Sequence, residues 1–145
     1  MKKCRLTVTA LCLSALMLFS PTVMKAENPF MAPYGTPFNM PPFDKISNSD
    51  YLPAFEEGIR QHNQEIEAII NNRAVADFDN TIAALDNAGQ LLENVTYVFN
   101  GLYDACSTPE LQSLGEQILP MLSKHNDEVM MNERLFSRVK QVYDN

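Results

Sequence analysis

His62-x-x-Glu65 and His125-x-x-Glu128 are the two places where this 145-residue chain sets an imidazole beside a carboxylate at a helical spacing. A separation of three puts both side chains on neighbouring helix faces, where they could share a metal. Di-iron centres in helical bundles use the opposite order, Glu-x-x-His, and add an inward glutamate from each of two further helices. Zinc hydrolysis on a helix needs two histidines four residues apart with a glutamate between them, H-E-x-x-H, so that both imidazoles reach one metal. His62 and His125 are the only histidines, and neither has a second within helical reach. Both fall at core-type positions of apolar stripes, and the reading is of structural histidines. A dimetal bundle is the rival reading, which metal analysis of the purified protein would settle.

Other chemistry is equally sparse. There is no G-x-S-x-G nucleophile elbow, no phosphate-cradling glycine loop and no paired cysteine motif. Cys106 falls on the apolar stripe of a predicted helix and reads as a buried structural thiol. Glu56, Glu57, Glu65 and Glu67 read as a solvated acidic face. Asn94-Val95-Thr96 matches the glycan acceptor pattern but falls in mid-helix, where a chance match explains it better. No catalytic, cofactor-binding or metal-ligating residue is therefore nominated.

The elements that position these residues are predicted to be helices, giving an all-α fold of about four amphipathic helices after an extended arm. Leu52, Phe55, Ile59, His62, Ile66 and Ile69 recur at alternating spacings of three and four, which predicts one helix from Asn48 to Asn72. Pro53 is placed in its first turn, and Asp50 or Ser49 is the expected cap. A second helix is predicted from about Phe78 to Ala105, capped by Asp77. Phe78, Ile82, Leu85, Leu92, Val95, Phe99 and Leu102 form its buried side. Gly89 and Gly101 within it mark a bend or a close backbone approach. Ser107-Thr108-Pro109-Glu110 opens a third helix through Leu111, Leu114, Ile118, Met121, His125 and Val129. Pro120 is expected to kink or break it near Gln117. Asn132 caps a fourth, with Leu135, Phe136, Val139, Val142 and Tyr143 on its apolar side. This pattern runs to Asn145 without a glycine, proline or capping sequence, so the expectation is a helical region, 48–145, that is incomplete at its C-terminus.

At the other end, Lys2, Lys3 and Arg5 precede an apolar run from Leu6 to Phe19, and small Ala26 follows Pro21. That is the pattern of a secretory signal peptide over residues 1–26, and the expected location is periplasmic or secreted. The run is too short to span a membrane, and nothing later is long and apolar enough. Residues 1–26 hold Lys2, Lys3, Arg5 and Lys25 and no acid, so their removal takes the formal net charge from −7 to −11. An acidic surface of that size repels phosphate backbones and anionic lipid heads, which excludes nucleic acid and the membrane surface as partners. Cys4 and Cys12 leave with the signal, so Cys106 has no partner for an internal disulfide.

Between signal and helices lies an arm, residues 27–47, in which "NPFMAPYGTPFNMPPFDKI" packs five of the nine prolines among four aromatic rings. Prolines pre-set an extended path and remove N–H donors, while the rings supply burial that could order it. Phe30, Tyr34 and Phe38 recur every fourth residue, which in an extended chain directs them to one side. The expectation is a strap laid across helices rather than a flexible linker.

The ribbon, taken with "YLPAFEEGIRQHNQEIEAI", "FDNTIAALDNAGQLLENV", "VFNGL" and "LSKHNDEVMMNERLFSRVKQVY", resembles in order the N-terminal region of bacterial Dcp-type peptidyl-dipeptidases. These are zinc metallopeptidases of the thimet oligopeptidase family. The likeness runs from Asn28 to Tyr143. Asp79 departs from the glutamate expected in the "F-E-N-T" phrase, and "NGLYDACSTPE" matches more loosely.

The resemblance implies a parent several times longer, largely helical, with two lobes around a deep channel. It further implies a zinc held by the histidines of H-E-x-x-H and a downstream glutamate, all in later sequence. Nothing catalytic carries over to residues of this chain. The implied role is a scaffold that walls the channel of an enzyme releasing dipeptides from peptide C-termini. Its implied partners are the missing C-terminal catalytic region and, for the parent, short peptides. A stand-alone exported helical binding module remains the alternative, distinguished by whether the helices cover their own apolar faces.

Overall fold

A computed structural model describes residues 28–145; the signal peptide expected over 1–26 lies outside them. The all-α expectation holds, and no strand occurs among the described residues. α1 runs Asn48–Ile70. A π-helical stretch, Phe78–Ala83, leads into the single turn α2, Ala84–Asp86. Then come α3, Gln90–Ala105, α4, Pro109–Met130, and α5, Glu133–Asp144. None of these helices is long and apolar enough to cross a membrane.

Local sequence sets most boundaries. Ser47, not Asp50 or Ser49, is the N-cap of α1, and the Ser47 amide donates to the Asp50 carboxylate at 2.8 Å. The helix starts at Asn48 as expected, but with its cap at Ser47 it places Pro53 beyond the first turn, inside the helix. Thr108 caps α4 with Pro109 in the first turn; Leu111 N–H donates to its hydroxyl at 3.3 Å. Pro120 does not break α4, which is continuous to Met130. Its side is exposed, so carbonyls freed there can turn to water. Asn132 caps α5 by accepting from the amides of Arg134 and Leu135, each at 3.0 Å.

The predicted long second helix is corrected. It is interrupted at residues 87–89, where Gly89 takes a left-handed φ of 79° and becomes the N-cap of α3. A left-handed residue cannot continue a right-handed helix, and glycine tolerates that conformation best. Gly101 causes neither a bend nor a close approach, for nothing lies within 4 Å of where its Cβ would be.

α1 is the central element, packing most extensively on α3, then on α4 and α5. Gly58 allows its closest contact: a Cβ there would lie 2.9 Å from Leu92 Cα. Around that seam Tyr51, Phe55, Val95, Phe99 and Ile118 form a core with essentially no exposure. Phe99 sits at its centre, with ring centroids 5.3 Å from Tyr51, 5.6 Å from Phe55 and 5.5 Å from Tyr103. These tilted and edge-on arrangements are the favourable ones for aromatic rings. A smaller core joins Ile66 and Ile69 of α1 to Leu135 of α5.

The arm is only half a strap. Phe30 is buried against Tyr51 at 5.4 Å, and the Asn28 side-chain amide donates to Asp50 O at 2.7 Å. Tyr34 packs against the core edge. Beyond it the chain turns at Gly35 (φ 64°), Phe38 (58°) and Asn39 (54°), so the every-fourth spacing stops meaning one side. Phe38 is 99% exposed and Phe43 half exposed. Three further expected core residues are also on the surface: Phe78, Phe136 and Tyr143.

Candidate functional site

The two histidines, 63 residues apart in sequence, meet. α1 presents His62 and α4 presents His125, and their rings sit edge to face with centroids 5.0 Å apart. His62 Nδ1 lies 2.9 Å from His125 Nε2, a hydrogen bond. His125 is only 5% exposed, and its other nitrogen, Nδ1, is buried without a partner. His62 is half-buried.

The helix interruption roofs this pair. A Cβ on Gly89 would come within 3.1 Å of His62 Cγ, and the left-handed φ strains other residues, so glycine suits the place where the backbone lies on the imidazole. The Gly89 amide donates to Glu65 Oε2 at 2.6 Å. The reverse-order motif thus acquires a structural meaning: Glu65 anchors the turn that covers His62. Beside the rings opens a groove of about 460 Å³, whose walls include Leu92 and Leu122 together with Asp86, Glu93 and Thr96. Burial lowers the pKa of both imidazoles. The Glu65 charge partly offsets this for His62. The neighbouring His62 lowers His125 further, while Glu128 raises it.

Zinc does not fit this pair. Two nitrogens bound to one tetrahedral zinc at about 2.0–2.1 Å each stand roughly 3.4 Å apart with the metal between them. Here the nitrogens face each other at hydrogen-bond distance. Nor, among the described residues, does any group of three or more His, Cys, Asp or Glu stand ready to hold a metal ion.

Two other acidic residues of α1 pair with arginines. Glu57 pairs with Arg60 at 2.5 Å, which with the Gln61 amide holds its carboxyl down at about 2. Glu67 lies 3.6 Å from Arg134. Cys106 is exposed, contrary to the buried thiol expected: α3 ends at Ala105, and Cys106 is its C-cap with the backbone already turned away. Val95, within the glycan-like triplet, is fully buried.

One residue unremarked in the sequence reading proves important. Arg138, 8% exposed on α5, donates from Nη1 to Asn72 O at 2.9 Å and from Nη2 to Asn80 Oδ1 at 2.8 Å. Weaker contacts reach Ala74 O at 3.4 and 3.5 Å. It clamps the 71–77 connection to α5, and Asn80 in turn exchanges hydrogen bonds with Asp77. The available signal was its place three residues after Leu135, on the inward stripe of α5.

With this geometry in view, similarity to other proteins gains meaning. No protein-family model matches the chain. It is 42% identical over 120 residues to the dipeptidyl carboxypeptidase of Escherichia coli, a match covering 83% of this chain and 18% of that protein. The dipeptidyl carboxypeptidase of Salmonella typhimurium is 41% identical over 118 residues, 81% of this chain and 17% of the relative. Oligopeptidase A of Escherichia coli is 27% identical over 112 residues, 77% of this chain and 16% of the relative. The chain thus spans less than a fifth of the length of the relatives it matches. Over these residues it is similar to the dipeptidyl carboxypeptidases and corresponds to their N-terminal region.

Proposed function

We propose that this polypeptide is a wall-building scaffold region of an exported, zinc-dependent peptidyl-dipeptidase. In this reading the metal, its ligands and the attacking water are held by the part of the enzyme beyond the matched stretch. The helices of residues 48–145 shape the channel that admits short, flexible peptides. By itself the chain releases no dipeptides, and its working partner is the catalytic region.

The observation that carries the reading is the 42% identity sustained over 83% of the chain. Surface character supports it. Met130, Met131, Phe136 and Tyr143 are all largely exposed near the α4–α5 end, as are Val75 and Phe78. Large apolar side chains left uncovered in this number suit a region that packs on further protein better than a self-sufficient binding module.

The test is a chimera in which residues 28–145 replace the corresponding stretch of the Escherichia coli relative. We expect dipeptide release from a C-terminally labelled peptide to persist within about tenfold of the parent rate. A folded chimera that binds zinc stoichiometrically yet cleaves nothing would overturn the assignment. So would hydrolysis by the present chain alone with contaminating proteases excluded.

A further inference from the structure

We propose that His62 and His125 form a proton-operated latch between α1 and α4, held in full when both rings are neutral and weakened as the pair becomes charged. The inference rests on hydrogen-bond geometry and is independent of any peptidase role.

One ring must donate and the other accept across the 2.9 Å contact. His125 Nδ1 is buried with no partner. A lone pair left unpaired there is cheaper than an N–H left unpaired, so the arrangement of least cost puts the His125 proton on Nε2, donating to the bare Nδ1 of His62. His62 then carries its own proton on Nε2.

Every route to a charged pair adds a cost that the neutral arrangement avoids. A proton added to His62 Nδ1 meets the His125 Nε2–H, donor against donor. The contact survives only if His125 moves its proton to Nδ1, where no acceptor exists. A proton added directly to His125 leaves the Nε2–H to Nδ1 bond in place, but it lands on the same orphan atom, so a donor without an acceptor and a charge are held in a site that is 5% exposed. Both imidazoles charged at once would leave two donors and two like charges in contact.

Carboxylates face the pair from each neighbouring element. Glu65 lies on α1, Glu128 on α4, Asp86 on α2 and Glu93 on α3, the last two on the groove wall. Glu65 favours the charged form of His62, and Glu128 that of His125. Burial is nonetheless the first cause for both rings, and it lowers both pKa values. The sign follows: the latch contributes in full above the ordinary imidazole value of about 6.5 and weakens as pH falls through it toward the lowered folded-state values. In that window the unfolded or opened chain binds protons that the closed pair refuses.

Release would let α4 part from α1 along the groove and free the Gly89 turn lying on His62. A pH titration of the intact chain by ring-nitrogen NMR, with amide exchange corrected for its intrinsic pH dependence, tests this. At about pH 7.5 we expect His125 as the Nε2–H tautomer. On acidification we expect both rings to titrate below the ordinary value, and Gly89 and α4 amides near His125 to lose protection in step. Ordinary-range titration, or protection unchanged while the rings become charged, would overturn the proposal. In parallel, His125→Phe and His62→Gln should each flatten the fall in urea midpoint between about pH 7.5 and 5.5. If His125→Phe does not fold, the half-buried His62→Gln and the unmodified chain still decide. A variant retaining the full pH slope counts against the latch.

Discussion

The larger core around Phe55 and Phe99 and the smaller one around Ile66, Ile69 and Leu135 hold the same central helix, α1, to its neighbours by different means. In the first, rings meet rings over a seam narrowed by Gly58, and nearly all the attraction is burial and dispersion. In the second, three aliphatic side chains are buried, and a guanidinium supplies directed hydrogen bonds to a connection that has little apolar surface of its own. Strength that depends on area tolerates no loss of volume. Attachment that depends on donors tolerates no loss of geometry. The difference shows why one chain can have a firm half and a half whose position is specified more than it is stabilised.

Substitutions can break that contrast. The largest effect is expected for Phe99→Ala, which leaves a void where three aromatic neighbours met. A loss of about 3–5 kcal/mol in urea unfolding is expected, and a loss below 1 kcal/mol would refute the central place given to this ring. Arg138→Met keeps much of the side chain's length and removes its donors. Here about 1.5–3 kcal/mol is expected, with faster amide exchange concentrated between residues 71 and 80. Uniform loosening of the whole molecule would erase the distinction between the cores. Asn132→Ala is the mildest: α5 loses the cap that serves two amides, and about 1 kcal/mol should go. Its effect should stay within α5 and the smaller core, as chemical shifts would reveal.

Periodicity and capping made most of this fold legible. α1, α4 and α5 follow their apolar spacing, and Asp77, Thr108 and Asn132 cap where their side chains indicate. Gly89 was recognised as a possible bend, but one left-handed residue ended a helix that the apolar pattern carried straight across. Cys106 matched the stripe of α3 only by extending that helix one residue too far. Phe136 and Tyr143 satisfy a helical pattern yet are 66% and 89% exposed, since a stripe wider than the neighbouring surface cannot all be covered. Within the site, each histidine was legible as a core-type position. Their meeting was not, because it depends on how α1 and α4 are laid together, which no spacing within either helix encodes. Arg138 was hidden for the same reason: its acceptors, two backbone carbonyls and the Asn80 side chain, lie 58 or more residues away.

The turn after α3 leaves the Cys106 sulfur open to solvent, and this governs how the molecule behaves in bulk. Under oxidising conditions two copies can join through these atoms without either one unfolding, so a covalent dimer on a non-reducing gel would report storage history rather than a native assembly. The same atom offers a spectroscopic dye or spin label an attachment point outside both cores.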